Sequence, residues 1–324
     1  MMDNEMQTNP GFREWVFNHE KHGTGYEDYR RRWRDNPVQG VWGKYPLHID
    51  LEVTNRCNLK CPFCIREHDP SMEVGNMKYE MAVKILDECA MKVPGIKFNW
   101  RGEPTMYKKL PFLVQRAKLN GFMDIGINTN GTILTPNMFG SLEVMGIDRI
   151  IYSIDSHISK SYLEQRVGAN YETTMRNLRG AINLKKMKRW DRPYIRVQKV
   201  DIPELRHENE DYVRFFKDLG VDSVAINTYK NKDETKLGRW KSLSCAMPFQ
   251  RLMIAWDGNA YPCCQGQLFA PLGNVNEMSI KELWSGPTMK RLRKMHSTGQ
   301  QDKIPQCANC ETTIVPDYDE KEMD

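Results

Sequence analysis

At 324 residues, with 40% hydrophobic and 27% charged residues and a formal net charge of +5, the chain can bury a sizeable core and is not expected to be disordered. No apolar run approaches the roughly 20 residues of a bilayer span, and the start, MMDNEMQTNPGFREW, has neither a signal-peptide core nor an Arg-rich transit helix, so a soluble cytoplasmic protein with no membrane partner is expected. Nine cysteines in a reducing compartment then point to metal or redox chemistry rather than to disulfides.

Residues 1–45 read as a short, charged helical appendage centred on EDYRRRWRDNP (27–37). Over 46–238 six strand candidates follow: HIDLEVT (48–54), IKFNW (96–100), FMDIGIN (122–128), RIIYSI (149–154), YIRVQKV (194–200) and SVAIN (223–227). Helix candidates separate them at 78–93, 108–121, 135–146, 171–188 and 209–220, several stopping at a glycine. Such alternation gives a parallel sheet with helices outside, either doubly wound or curled into a barrel, and in both cases function collects at the C-terminal ends of the strands. The basic run LKKMKRW (184–190) falls at a helix end, where cations complement the dipole, so no nucleic-acid partner is inferred from it. From 239 to 324 the pattern changes to a turn-rich unit with five cysteines.

Chemistry-bearing residues sit just past the strand ends: CNLKCPFC (57–64), RGEPT (101–105), NTNG (128–131) and SIDS (153–156). Cys57, Cys61 and Cys64 form C-x3-C-x2-C. Three thiolates can hold three irons of a four-iron cluster and leave the fourth open, whereas a zinc site needs a fourth ligand such as His68. Asn128 and Asn130 suit either a turn or a cofactor contact, and Asp155 either hydroxyl binding or a helix cap. Cys89, at helical spacing with Ile85 and Val93, reads as a core residue.

The C-x3-C-x2-C loop directly after the first strand, with the aromatic Phe63 before its last cysteine, resembles the radical S-adenosylmethionine (SAM) superfamily. The resemblance implies a partial (β/α)6 TIM-like barrel of the radical SAM type, an α/β fold, with a [4Fe-4S] cluster whose open iron is chelated by S-adenosylmethionine. RGEPT resembles the family's glycine-glycine-glutamate-proline segment, with Arg101 standing where a glycine is common; Glu103 would then accept hydrogen bonds from the cofactor's amino group. Ser153 and Arg166 resemble the hydroxyl and guanidinium directed at its carboxylate. Phe63, Glu103, Asn128, Ser153 and Arg166 are therefore the expected cofactor-binding set.

The C-terminal frame CAMPFQRLMIAWDGNAYPCCQG…CANC resembles the SPASM extension and its shortened twitch form, a small domain of β-hairpin plus helix with Asp257-Gly258-Asn259 as the hairpin turn. Five cysteines suffice for one auxiliary [4Fe-4S] cluster and a spare thiol. By the family pattern Cys245, Cys263, Cys307 and Cys310 are the ligands, with zinc as the alternative occupant of that set. Cys263 and Cys264, as neighbours on an extended strand, are expected to face opposite sides. Cys264 is then either a buried apolar cysteine or a catalytic hydrogen-atom donor.

The resemblance implies abstraction of hydrogen from a small polyol, sugar or aminocyclitol, giving dehydrogenation or epimerisation, with reduced flavodoxin or ferredoxin as electron donor. Arg196 either orients the substrate or rests in an ion pair. The alternative reaction is modification of a ribosomally made peptide or maturation of a partner enzyme. The residues before the first strand are too few for the leader-binding domain such peptide enzymes often carry. A non-catalytic iron-sulfur protein would have no use for Glu103, Ser153 and Arg166.

Overall fold

The computed structural model describes residues 24–69, 71–228, 245–308 and 310. In chain order the elements are α1 (Thr24–Gln39), β1 (His48–Leu51), α2 (Ile65–His68), α3 (Tyr79–Cys89), β2 (Gly95–Lys97), α4 (Leu110–Leu119), β3 (Asp124–Thr129), α5 (Pro136–Val144), β4 (Arg149–Ser153), α6 (Ser159–Gln165), α7 (Tyr171–Lys188), β5 (Tyr194–Asp201), α8 (Asn209–Leu219) and β6 (Ser223–Thr228). The C-terminal part adds α9 (Met247–Gln250), β7 (Arg251–Ile254), β8 (Asn259–Tyr261), β9 (Gly273–Asn274), α10 (Ile280–Ser285), α11 (Pro287–Ser297) and α12 (Pro305–Ala308). No helix among the described residues is long and apolar enough to cross a membrane.

Strand order settles which α/β architecture forms. The sheet runs β6-β5-β4-β3-β2-β1-β7-β8-β9, and β1 to β6 are parallel sequential neighbours. A doubly wound sheet reverses its order at a switch point; a sequential order with right-handed crossovers puts the helices on one face and curls the sheet into a partial barrel. The expected hairpin is present, with Met253 opposite Tyr261 and Gly258 at a φ of 90° in the turn. Its first strand is not separate from the core: β7 pairs in parallel with β1, Ile49 against Leu252.

The two faces of the strands differ. Ile49, Ile96 and Ile125 stand in register, as do Ile127, Ile150 and Ile195, and with helix residues such as Leu86, Leu113, Leu142 and Leu178 they make the main core. Burying each such side chain contributes on the order of 2 kcal/mol. Across the inner face Asp50, Lys97, Gly126, Arg149 and Tyr194 are in register, so the lumen is polar. Its ion pairs are Lys97 with Asp50 at 2.7 Å, Arg251 with Asp50 at 3.3 Å and Arg149 with Asp124 at 3.0 Å.

The described part of the N-terminal appendage is α1, which closes the N-terminal end of this lumen. Tyr29 donates to Asp124 Oδ2 at 3.3 Å, Trp33 packs edge-on against His48, and Gln250 Nε2 donates to the Trp33 carbonyl at 2.7 Å. The basic run ends α7 as expected, with Lys185 reaching Asp222 at 2.6 Å. Cys89 is fully buried in the main core.

Several elements differ from the sequence reading; strand β1, for one, ends at Leu51 rather than Thr54. Helix α6 occupies what the pattern leaves as a connection; seven residues with one buried side chain, Tyr162, give too short a periodicity to read. Strand β2 stops at Lys97 rather than Trp100, because the side chain of Asn99 accepts from Asn128 N at 2.8 Å in place of a backbone carbonyl.

Candidate functional site

The three-cysteine loop leaves β1 at the C-terminal end of the sheet and is tied to its neighbours by short polar contacts. Lys60 N donates to Val167 O at 2.9 Å, Asn58 Nδ2 to Thr132 Oγ1 at 2.8 Å, and Asn130 Nδ2 to Asn58 Oδ1 at 3.0 Å. Cys61 is buried and Cys57 and Cys64 are half-buried, all three as free thiols. Two donors already address the sulfurs: Asn130 Nδ2 lies 3.8 Å from Cys57 Sγ and Arg166 Nη1 3.8 Å from Cys61 Sγ.

Burial pushes the Cys57 and Cys61 thiols up, a cost that metal coordination removes because the ligand is a thiolate. Three thiols in one loop, with a cation and an amide aimed at their sulfurs, fit a cluster with one open iron. Among the described residues no three His, Cys, Asp or Glu side chains converge on a single-ion site; cluster ligands bind separate irons and need no such convergence. His68 is exposed and its Nε2 lies 2.5 Å from Pro62 O within its own loop.

The segment after β2 is built around Gly102. Its φ is +72°, and a Cβ there would meet Asn55 C and Thr54 O at 2.6 Å, so no side chain fits. Arg101 turns aside: its guanidinium makes paired bonds to Glu52 at 2.7 and 2.8 Å and stacks 4.2 Å over Trp100. Glu103 is buried and accepts from Thr105 N at 3.1 Å, Thr105 Oγ1 at 2.5 Å, Thr129 Oγ1 at 2.7 Å and Asn130 N at 2.7 Å. Burial pushes its carboxyl up and these bonds pull it back. It thereby joins the turn after β2 to the turn after β3.

The remaining expected residues stand where β3 and β4 end and at the end of α6. Asn128 Oδ1 is buried with no hydrogen-bond partner among the described residues, an orphan that fits a ligand donor. Asn130 serves its turn, accepting from Thr132 N at 3.0 Å, and holds the cysteine loop as well. Ser153 ends β4, in register with Gln198 on the same face.

Arg166 caps α6, stands 5.4 Å over the Phe63 ring, and is ion-paired with Asp155, whose second oxygen takes Val200 N at 3.1 Å. Asp155 therefore does not cap a helix; it anchors the arginine beside Cys61. Sequence reasoning missed Asn99, Thr129 and Trp100. Only Thr129 had a local signal, lying inside NTNG.

In the C-terminal part Cys245, Cys263, Cys264, Cys307 and Cys310 line one cavity together with His296 and Pro248. Cys263 and Cys264 follow β8 in a bend and a turn, so the extended geometry that would set them on opposite faces is absent and both reach the same cavity. Burial, with neighbouring thiols adding to it, pushes the Cys263 thiol well up and the Cys307 thiol up to about 12. Grouped, buried thiols of this kind fit a thiolate-ligated cluster. Trp100 connects the two sites: its Nε1 donates to the Cys264 carbonyl at 3.0 Å and its ring packs 5.3 Å from that of Tyr261.

Comparison with known proteins agrees with this geometry. Residues 51–188 match the family model of the radical SAM superfamily, and residues 245–311 match that of the SPASM iron-sulfur cluster-binding domain. The chain is 25% identical, in an alignment that covers 84% of its length and 89% of the relative's, to the tungsten-containing aldehyde ferredoxin oxidoreductase cofactor-modifying protein of Pyrococcus furiosus. It is 23% identical over 275 residues, 82% and 93% of the two chains, to the S-adenosyl-L-methionine-dependent 2-deoxy-scyllo-inosamine dehydrogenase of Niallia circulans. The fold matches the crystal structure of BtrN in complex with AdoMet and 2-DOIA with a TM-score of 0.57 at 20% identity, covering 85% of this chain and 96% of that one. With a cysteine loop, a barrel edge and a second cysteine cavity all in their places, the chain belongs to the radical SAM superfamily and is a radical SAM enzyme with a SPASM-type auxiliary cluster domain.

Proposed function

We propose that the protein dehydrogenates a secondary alcohol of a small polyol, sugar or aminocyclitol. When bound, the cluster and S-adenosylmethionine supply a 5'-deoxyadenosyl radical that takes a hydrogen atom from carbon, and the auxiliary cluster supplies an acceptor for one further electron. Cys57, Cys61 and Cys64 would hold the first cluster, Phe63, Glu103, Asn128, Ser153 and Arg166 would surround the nucleotide, and Cys245, Cys263, Cys307 and Cys310 would hold the second.

The observation that carries this reading is the five-cysteine cavity, hydrogen-bonded at Cys264 to Trp100 in the turn after β2, which offers a second redox site on the same sheet. Oxidising an alcohol to a ketone removes two electrons, one with the hydrogen atom and one alone, with loss of a proton. A second electron site is what that stoichiometry needs. The polar inner face, with Asn99, Asn128 and Gln198 near its C-terminal end and Arg196 deeper along β5, suits a substrate rich in hydroxyl groups. Similarity to the Niallia circulans dehydrogenase supports the same choice. Cys264, lining the auxiliary cavity, is in this reading a neighbour of that cluster rather than a hydrogen-atom donor, which favours dehydrogenation over epimerisation. A small acidic carrier, reduced flavodoxin or ferredoxin, would supply the initiating electron.

The test uses anaerobically reconstituted protein with polyols and aminocyclitols deuterated at each carbinol carbon. Deuterium in 5'-deoxyadenosine together with a ketone product, undiminished in Cys264→Ala, is the expected result. An epimer that disappears in Cys264→Ala would restore the thiol-donor role. A second reading, modification of a cofactor or maturation of a partner enzyme, is favoured by the match to the Pyrococcus furiosus protein along most of both chains. Transfer of deuterium from no free polyol, but from a pterin or protein substrate, would establish it instead.

A further inference from the structure

We propose that His296 donates its Nε2–H to the auxiliary cluster and raises that cluster's reduction potential. The inference rests on the auxiliary-cluster reading and concerns a residue outside the four cysteine ligands. Leu292 and His296, one turn apart on α11, both line the five-cysteine cavity, and His296 is 4% exposed. Its Nδ1 lies 3.3 Å from the backbone N of Cys245, an expected ligand.

A backbone N–H can only donate, so Nδ1 carries a lone pair and the ring proton sits on Nε2. Among the described residues that contact is the hydrogen bond the structure gives the ring, so Nε2–H is the donor left over on a ring that lines the cavity, and it is assigned to the cluster. A hydrogen bond to a cluster sulfur or ligand thiolate is stronger in the more negative, reduced state, and it therefore favours reduction. Such a cluster is a better acceptor for the electron left on a substrate after hydrogen abstraction. His296 acts here as a positioning residue for Cys245 and as a tuning donor, without touching the substrate.

The experiment is an EPR-monitored potentiometric titration of the full chain carrying Cys57→Ala, Cys61→Ala and Cys64→Ala, so that the auxiliary cluster alone gives a signal. Into this background His296→Leu and His296→Gln are introduced. We expect His296→Leu to disfavour reduction about tenfold, about 59 mV lower for a one-electron couple. His296→Gln, which keeps an N–H at similar reach, is expected to recover most of the shift.

Equal potentials in all three proteins would overturn the proposal, since a ring that only braces Cys245 changes cluster retention and not potential. Loss of the cluster from both variants would overturn it too, by making His296 a structural or ligating residue. Loss from His296→Leu with retention at near-normal potential in His296→Gln supports it. If the C-terminal cysteines hold zinc and give no reducible signal, the auxiliary-cluster reading itself fails, an outcome separate from an unshifted iron-sulfur signal.

Discussion

Gly102 and Glu103 show how much of the site depends on single backbone and side-chain choices. Gly102→Ala places a Cβ against the Thr54 and Asn55 backbone at a positive φ, and is expected to cost about 2 kcal/mol or more, read as a lowered thermal midpoint, with loss of nucleotide cleavage. Glu103→Gln replaces one of two accepting oxygens by a donor facing Thr or Asn130 donors, at an expected cost of about 1–3 kcal/mol near neutral pH. The pH dependence has a definite sign. The carboxyl is held above its ordinary value in the fold, so the stability linked to its protonation is present below that ordinary value and lost as pH rises through the folded one. The wild-type advantage over Glu103→Gln is therefore expected to shrink between pH 4 and pH 7 in denaturant titrations; a widening gap would contradict the assigned burial. RGEPT made the place of both residues readable, but two of the four bonds on Glu103 come from Thr129 and Asn130, a separate stretch that only the fold brings to it.

Among elements, α1 has the least obvious task from sequence and a clear one in the structure. Its charged run hides Tyr26, Tyr29 and Trp33, which face the sheet and seal the polar lumen away from the catalytic end. Trp33→Ala removes a 1% exposed ring that packs on His48 and lies under the Arg251 guanidinium, and is expected to cost about 3–5 kcal/mol in chemical unfolding. Iron content at the distant cysteine loop is expected to survive it. Wild-type stability in that variant would mean α1 is only an appendage. Helix α6 was invisible as an element, yet it sets Arg166 over Phe63 beside Cys61. Trp100 likewise showed no pattern of its own, because its partner Cys264 lies 164 residues away.

At the scale of the molecule two metal sites share one sheet, since β7 extends the barrel edge at β1 and carries the auxiliary cysteines with it. Anaerobic reconstitution is expected to give about eight irons per chain, falling to about four in a Cys61→Ala or a Cys307→Ala variant. Four irons with retained zinc in the wild type would remove the second cluster.

By itself the sequence determined the βα alternation, the three-cysteine loop and the C-terminal cysteine set, because period, turn residues and ligand spacing are local properties of the chain. The alternation alone left barrel and doubly wound sheet open, with only the family resemblance pointing to the barrel that the strand order bears out; tertiary structure alone decided the pairing of Arg166 with Asp155, the meeting of Cys263 and Cys264 in one cavity, and the place of His296 beside them. Each of those depends on which distant segments become neighbours, and that is set by packing rather than by any short stretch of residues.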